Sequence, residues 1–135
     1  MNNKELKSKV MAIGNRLAVR MDRREAFIRA WVIGKSGGLE LSVKGVSFGN
    51  RQEALRRLAR YNPVQVRSFI APEKNNPADN RACAVYVGVN NGKGLFRIGY
   101  LPKEYAPMAK SVRGGAKIRI IGNGNGRSAL VRLAV

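Results

Sequence analysis

Between Pro63 and Leu101 the chain offers three β-type segments joined by two different connections, and this stretch restricts the fold more than any other. The first connection is Glu73-Lys74-Asn75-Asn76-Pro77-Ala78-Asp79-Asn80. Its Asn, Asp and Pro residues hold turn geometry through bonds to their own backbone, so it reads as a loop of fixed shape rather than slack chain. The second is the turn Asn90-Asn91-Gly92. A shaped polar loop between apolar strands is a place to look for a ligand.

Further β-type runs flank this centre. Leu39, Leu41 and Val43 alternate with polar residues, and that run reads on through Gly45-Val46-Ser47-Phe48 to a turn at Gly49. Near the end, Ile118-Arg119-Ile120 and Ala129-Leu130-Val131-Arg132-Leu133 are joined by Gly122-Asn123-Gly124-Asn125-Gly126, the pattern of a hairpin. No helix follows that glycine tract, so it reads as a turn and not as a phosphate cradle. Asn50 and Glu53 open a helix that buries Ala54, Leu55 and Leu58 and carries Arg51, Arg56, Arg57 and Arg60 on its other face, with Tyr61-Asn62-Pro63 stopping it. Pro102 starts a second short helix through Glu104, Tyr105 and Met108, limited by Pro107. About six strands with two short helices in residues 39–135 point to a small, strongly curved sheet or barrel of the α+β class.

Residues 1–38 read differently. Leu6, Val10, Ile13, Leu17 and Met21 share one helix face, and Asp22 with Glu25 starts a second helix whose buried side is Ala26, Phe27, Ala30 and Trp31. Gly34 and Gly37-Gly38 end it. Apolar stripes of this period favour docking of the hairpin on the barrel, so the chain is expected to form one compact unit.

The charge selects the partner. There are 26 Lys and Arg against 8 Asp and Glu, a net +18, and self-repulsion of that size calls for an anionic partner. Both parts carry it, with 9 basic and 3 acidic residues in 1–38 and 17 and 5 in the remainder, so a binding surface belongs to the folded domain and not to a tail. No window is apolar enough for a membrane span, and the start lacks the apolar run of a signal peptide. The single Cys83 sits in an apolar run, which excludes a disulfide framework and fits a reducing cytoplasm. With no histidine, one cysteine and no P-loop pattern, neither a metal site nor a cofactor is expected, and no small-molecule substrate. Glu73 and Asp79 flank the central loop, but a magnesium site draws carboxylates from several segments, so loop capping is the better reading. Catalysis is not expected.

Three blocks resemble the HIRAN domain, the module of helicase-like transcription factor and of many bacterial and phage proteins. They are Val43-Lys44-Gly45-Val46-Ser47-Phe48-Gly49-Asn50-Arg51-Gln52, Asn75-Asn76-Pro77-Ala78-Asp79-Asn80-Arg81-Ala82 and Ile98-Gly99-Tyr100-Leu101-Pro102-Lys103-Glu104, in the family's order. The resemblance implies an OB-like barrel with inserted helices and a pocket for the free 3′ end of single-stranded DNA. On that analogy Phe48 stacks a base, Asp79 meets the terminal hydroxyl, Tyr100 stands where the best understood member has a histidine, and Asn76 lies in the matching loop. The chain departs from the eukaryotic pattern in supplying one aromatic at the first block and Ala78 where another is usual. Arginines gripping the backbone, Arg51, Arg56, Arg57 and Arg60, are the expected compensation.

The resulting expectation is a cytoplasmic or nucleoid-associated nucleic-acid-binding module, for single-stranded DNA or DNA ends in preference to RNA. The alternative is an interaction protein of bacterial or phage type that binds or inhibits a nuclease or helicase complex, with the helical hairpin as its partner face. Double-stranded RNA or ribosome binding rests on charge alone.

Overall fold

The structure, a computed structural model, describes residues 1–90, 94–113, 116–123 and 126–135. The Asn2 side chain opens α1 (Asn3–Leu17) by accepting the Glu5 amide at 2.8 Å, and Asp22 opens α2 (Arg23–Ser36) by accepting that of Glu25. Val10, Ile13 and Leu17 are buried as their spacing predicts, while Met21 lies beyond the end of the helix. α2 passes through Gly34 and stops at Gly37, whose φ of 80° favours glycine.

The buried side of α2 corrects the sequence expectation. It consists of Ala26, Ala30, Ile33 and Gly34, whereas Phe27 is half-buried and Trp31 is 39 % exposed. Small residues four apart explain the rotation. A Cβ on Gly14 would run into the Phe27 ring, and one on Gly34 would lie 2.8 Å from Val10, so the helices approach along an alanine and glycine seam that leaves no room for an indole. Ile28, Trp31 and Val32 consequently face outward together.

The rest of the chain supplies β1 (Gly38–Ser42), α3 (Arg51–Leu58), β2 (Val66–Pro72), β3 (Cys83–Val89), β4 (Phe96–Tyr100), β5 (Ala116–Asn123) and β6 (Gly126–Ala134). The strands form one antiparallel sheet in the order β1-β6-β5-β2-β3-β4. It curls until its two edges meet at one bridge, where the Lys44 amide donates to the Tyr100 carbonyl at 2.7 Å and the Tyr100 amide returns the bond at 2.9 Å. This is the α+β, barrel-like architecture behind an N-terminal helical hairpin that the patterning predicts. The joint between β2 and β5 is equally narrow: Ser68 pairs with Ala116 and its hydroxyl donates to the Ala116 carbonyl at 2.7 Å.

Inward residues alternate along each strand, so Leu41, Val43, Val85, Val87, Ile98, Val131 and Leu133 fill the interior, and Leu55 of α3 joins them. Cys83 belongs to this core, and burial pushes its thiol up to about 11. A second cluster joins Val10, Ile13, Leu17, Ala26, Ala30 and Ile33 of the hairpin to Met108, with Leu39 and Tyr105 against it. Arg16 to the Ser111 hydroxyl, Arg29 to the Tyr105 hydroxyl and Lys9 to the Val135 carbonyl fasten its rim.

Two other elements differ from expectation. The first strand ends at Ser42 instead of running to Phe48, because Gly45 takes φ 80° and its carbonyl accepts the Phe48 amide in a turn. After Pro102 comes a turn, and the helix is a 3-10 segment over Ala106–Ser111. Pro107 has no amide to donate, so a helix begins around it and does not run through it. β5 and β6 pair as the expected hairpin, although Gly124 and Asn125 of its turn lie outside the described residues, as do Asn91-Gly92 and Gly114-Gly115. No described helix is long and apolar enough to cross a membrane.

Candidate nucleic-acid interface

In a regular strand Arg97 and Tyr100, three residues apart, would point to opposite faces. The β3–β4 ladder instead pairs Tyr86 with Arg97 and Val85 with Gly99, leaving Ile98 as an extra, fully buried residue. This bulge returns Arg97 and Tyr100 to the same outer face. The Arg97 guanidinium then lies 5.5 Å from the centre of the Tyr100 ring, a cation–π arrangement.

Both residues converge on Glu73, just past the end of β2. Arg97 donates to its carboxylate at 2.7 Å, the Tyr100 hydroxyl at 3.0 Å and the Asn76 side-chain amide at 3.3 Å. Burial alone would raise the Glu73 carboxyl, but these bonds outweigh it and hold the group below its ordinary range. On the other side of Tyr100, the Arg51 guanidinium stands 5.8 Å from that ring and 5.9 Å from the Phe48 ring, anchored by donation to the Gly45 carbonyl at 2.6 Å. Phe48 itself is 67 % exposed. Phe48, Arg51, Tyr100, Arg97 and Glu73 therefore form a row of alternating rings and charged groups.

The central loop has the fixed shape its composition predicts. Asn76 accepts the amides of Ala78 and Asp79 at 2.9 and 3.1 Å, and Asp79 accepts that of Arg81 at 2.9 Å. Asp79 is not an open acceptor, however. Arg20, just beyond α1, grips both carboxylate oxygens, one of them at 2.7 Å, and also donates to the Lys103 carbonyl at 3.1 Å. The pair leaves 15 % of Arg20 and 20 % of Asp79 exposed, and the guanidinium drives the Asp79 carboxyl down to about 2.

Three shallow depressions connect these groups. Phe48, Arg51, Tyr86 and Phe96 line the first together with Arg97; Arg97, Tyr100, Glu73 and Asn76 line the second; Asn76, Asp79, Arg20 and Lys103 line the third. Neighbours share Arg97 and then Asn76, so the three adjoin in series, and the series is referred to as the groove. Phe48, Tyr100, Asn76 and Asp79 are thus distributed over adjoining depressions and do not line a single pocket. Arg51 joins them, but Arg56, Arg57 and Arg60 do not line the groove: Arg56 and Arg57 pair with Glu53 on the outer face of α3, and Arg60 is exposed beyond its end.

Sequence reasoning missed Arg20, Arg97 and the bonded role of Glu73. Neither the Arg20–Asp79 pair nor the parity change in β4 leaves a local pattern to read.

No family model matches the chain, and no curated protein or solved structure matches it significantly.

Among the described residues no group of three or more Cys, Asp or Glu is placed to hold a metal ion. Glu73 and Asp79 are each neutralised by an arginine. Ion pairs among the described residues engage Arg20, Arg29, Arg56, Arg57, Arg97 and Arg119, a minority of the 26 cations. The surface keeps a large uncompensated positive charge.

Proposed function

We propose that the chain is a nucleic-acid-binding module that takes single-stranded DNA, or the single-stranded end of a duplex, along the groove from Phe48 to Asp79. The observation that carries this reading is the Phe48 ring, 67 % exposed and backed by the Arg51 guanidinium, at the head of a row of cations and rings. A large aromatic left in water costs a monomer solubility, whereas a base stacked on it recovers the burial and is tolerant of sequence. The HIRAN-like blocks and the net +18 agree with the same ligand.

Fluorescence anisotropy with a labelled single strand, repeated across salt concentrations, tests it. Neutralising about five phosphates gives a slope of about −3.5 in log affinity against log salt. Phe48→Ala is expected to weaken binding about tenfold. Since the ring is mostly exposed, the unfolding midpoint of that variant should barely move. A slope of zero would remove the electrostatic account. Oligonucleotides ending in 3′-hydroxyl and 3′-phosphate decide the part played by Asp79: preference for the hydroxyl end gives it the terminal contact, and equal affinity leaves it as the anchor for Arg20.

One observation favours a second reading. Ile28, Trp31 and Val32, at positions i, i+3 and i+4 of α2, form an uncovered apolar stripe of the kind that seats a partner protein. In that reading the hairpin docks the module on a nuclease or helicase complex. Alanine at Trp31 and Val32 would then abolish the docking and leave the DNA titration unchanged.

A further inference from the structure

Phe69 of β2 and Tyr86 of β3 stand opposite each other in the ladder, and both point away from the core. Their rings are stacked, with centroids 5.6 Å apart and planes 14° from parallel. Cross-strand aromatic pairs stabilise sheets, and that accounts for the contact between the two rings. It does not account for their setting.

Tyr86 also lines the depression beside Phe48, so the stacked pair borders the groove. Phe69 is 36 % exposed and stands one strand further from Arg97, which pairs with Tyr86. The strands β2, β3 and β4 carry two arginines, Arg67 and Arg97, and no carboxylate. Arg67 is exposed, and so is Lys117, which follows the Ser68–Ala116 pair on the adjoining strand β5. The two rings lie between Arg97, which is paired with Glu73, and the exposed Arg67 and Lys117, a setting that suits a ligand that alternates flat bases with phosphates.

We propose that the outer face of β2 and β3 is a second base-stacking station for single-stranded DNA, in which Phe69 and Tyr86 take the nucleotides that follow the one on Phe48. The inference rests on the reading of the groove given above and adds a direction and a footprint to it. The strand leaves the Phe48 depression over Tyr86, crosses Phe69 and passes its phosphates between Arg67 and Lys117. Binding accordingly covers several nucleotides and does not require a free end.

The test is a length series of thymidine oligonucleotides, from dimers to octamers, titrated into the whole chain, with a parallel set blocked at both ends. Wild-type affinity is expected to climb with length well past the dimer, for blocked and unblocked strands alike. Phe69→Leu keeps an apolar residue in the strand but offers no ring, and it should weaken binding of the longer oligonucleotides about tenfold while leaving the dimers unchanged. Tyr86→Leu should flatten the length dependence too and serves should the first variant unfold; because its ring also lines the Phe48 depression, it is read by that dependence and not by unchanged dimers. If longer strands bind and Phe48→Ala weakens them, yet both leucine variants keep the wild-type length dependence, this inference fails and the groove reading stands. If no oligonucleotide binds, both fail. Preference for ribo-oligonucleotides of the same length would overturn the assignment to DNA.

Discussion

Alanine at Gly99 is expected to cost the fold about 3 kcal/mol, seen as a lower urea midpoint at unchanged slope. Gly99 faces Val85 across the ladder, where the two edges of the curled sheet meet. A Cβ there would press into the Lys44 carbonyl oxygen and stand 2.7 Å from a Val43 methyl. The first of these is backbone that accepts the Tyr100 amide, so it cannot retreat without breaking the bridge. Strain from one added methyl in a full site ordinarily stays near the lower end of a few kcal/mol, but here the relief is loss of the seam itself. Tyr100 is the next residue, and it connects Arg51 to Arg97 and Glu73, so the same variant should also lose affinity for single-stranded DNA. A midpoint within experimental error of wild type would mean that the edges are not joined in solution.

Removing Arg20 is expected to have the second largest effect. With methionine in its place, the partly buried Asp79 carboxylate keeps the Arg81 amide and the nearby Lys103 charge but loses its guanidinium partner, at a cost of about 2 kcal/mol. Asp79→Asn in the same chain should recover part of this, since the stranded charge is gone, and the double-mutant cycle then reads the coupling. The pair also fixes how acid acts on the fold. Asp79 titrates near 2 in the folded chain against an ordinary 3.8, so its contribution is present in full above about pH 4 and fades as pH falls from there through 2. For a partly exposed pair this amounts to about 1–2 kcal/mol. Glu73, also held below its ordinary range, acts in the same direction. Urea unfolding at pH 6 and at successively lower pH should therefore show a shallower acid decline for Asp79→Asn than for wild type. Identical declines would show that Arg20 does not hold Asp79 in solution.

How much of this could be read from the chain depends on the range of the interaction. Asp22 with Glu25 announced a helix start because both partners lie within one turn, and Leu41 with Val43 announced an inward strand face because alternation is local. The shaped loop was equally legible, since Asn76 and Asp79 bond amides two or three residues away. Trp31 misled because size was read where fit decides: Ala26, Ala30 and Gly34 mark the close approach, and the bulky residue is turned away from it. The groove was legible only in part. Phe48, Tyr100, Asn76 and Asp79 each stand out in the sequence, but the guanidinium groups between them come from α1's end, α3 and β4. Nothing near Asp79 in the chain hints at Arg20.

The additional residue in β4 reaches beyond this one groove. Arg97 and Tyr100 cooperate because the count of residues between them is even where regular alternation needs it odd, so spacing is as much an ingredient here as chemistry. A cousin sequence with the same count between the two but no bulge would keep both side chains and still turn one of them into the barrel, away from Glu73, whereas one shorter by a residue at that point would hold the pair on one face by plain alternation. A gap there in an alignment of such chains marks the loss of the bulge and not the loss of the pair.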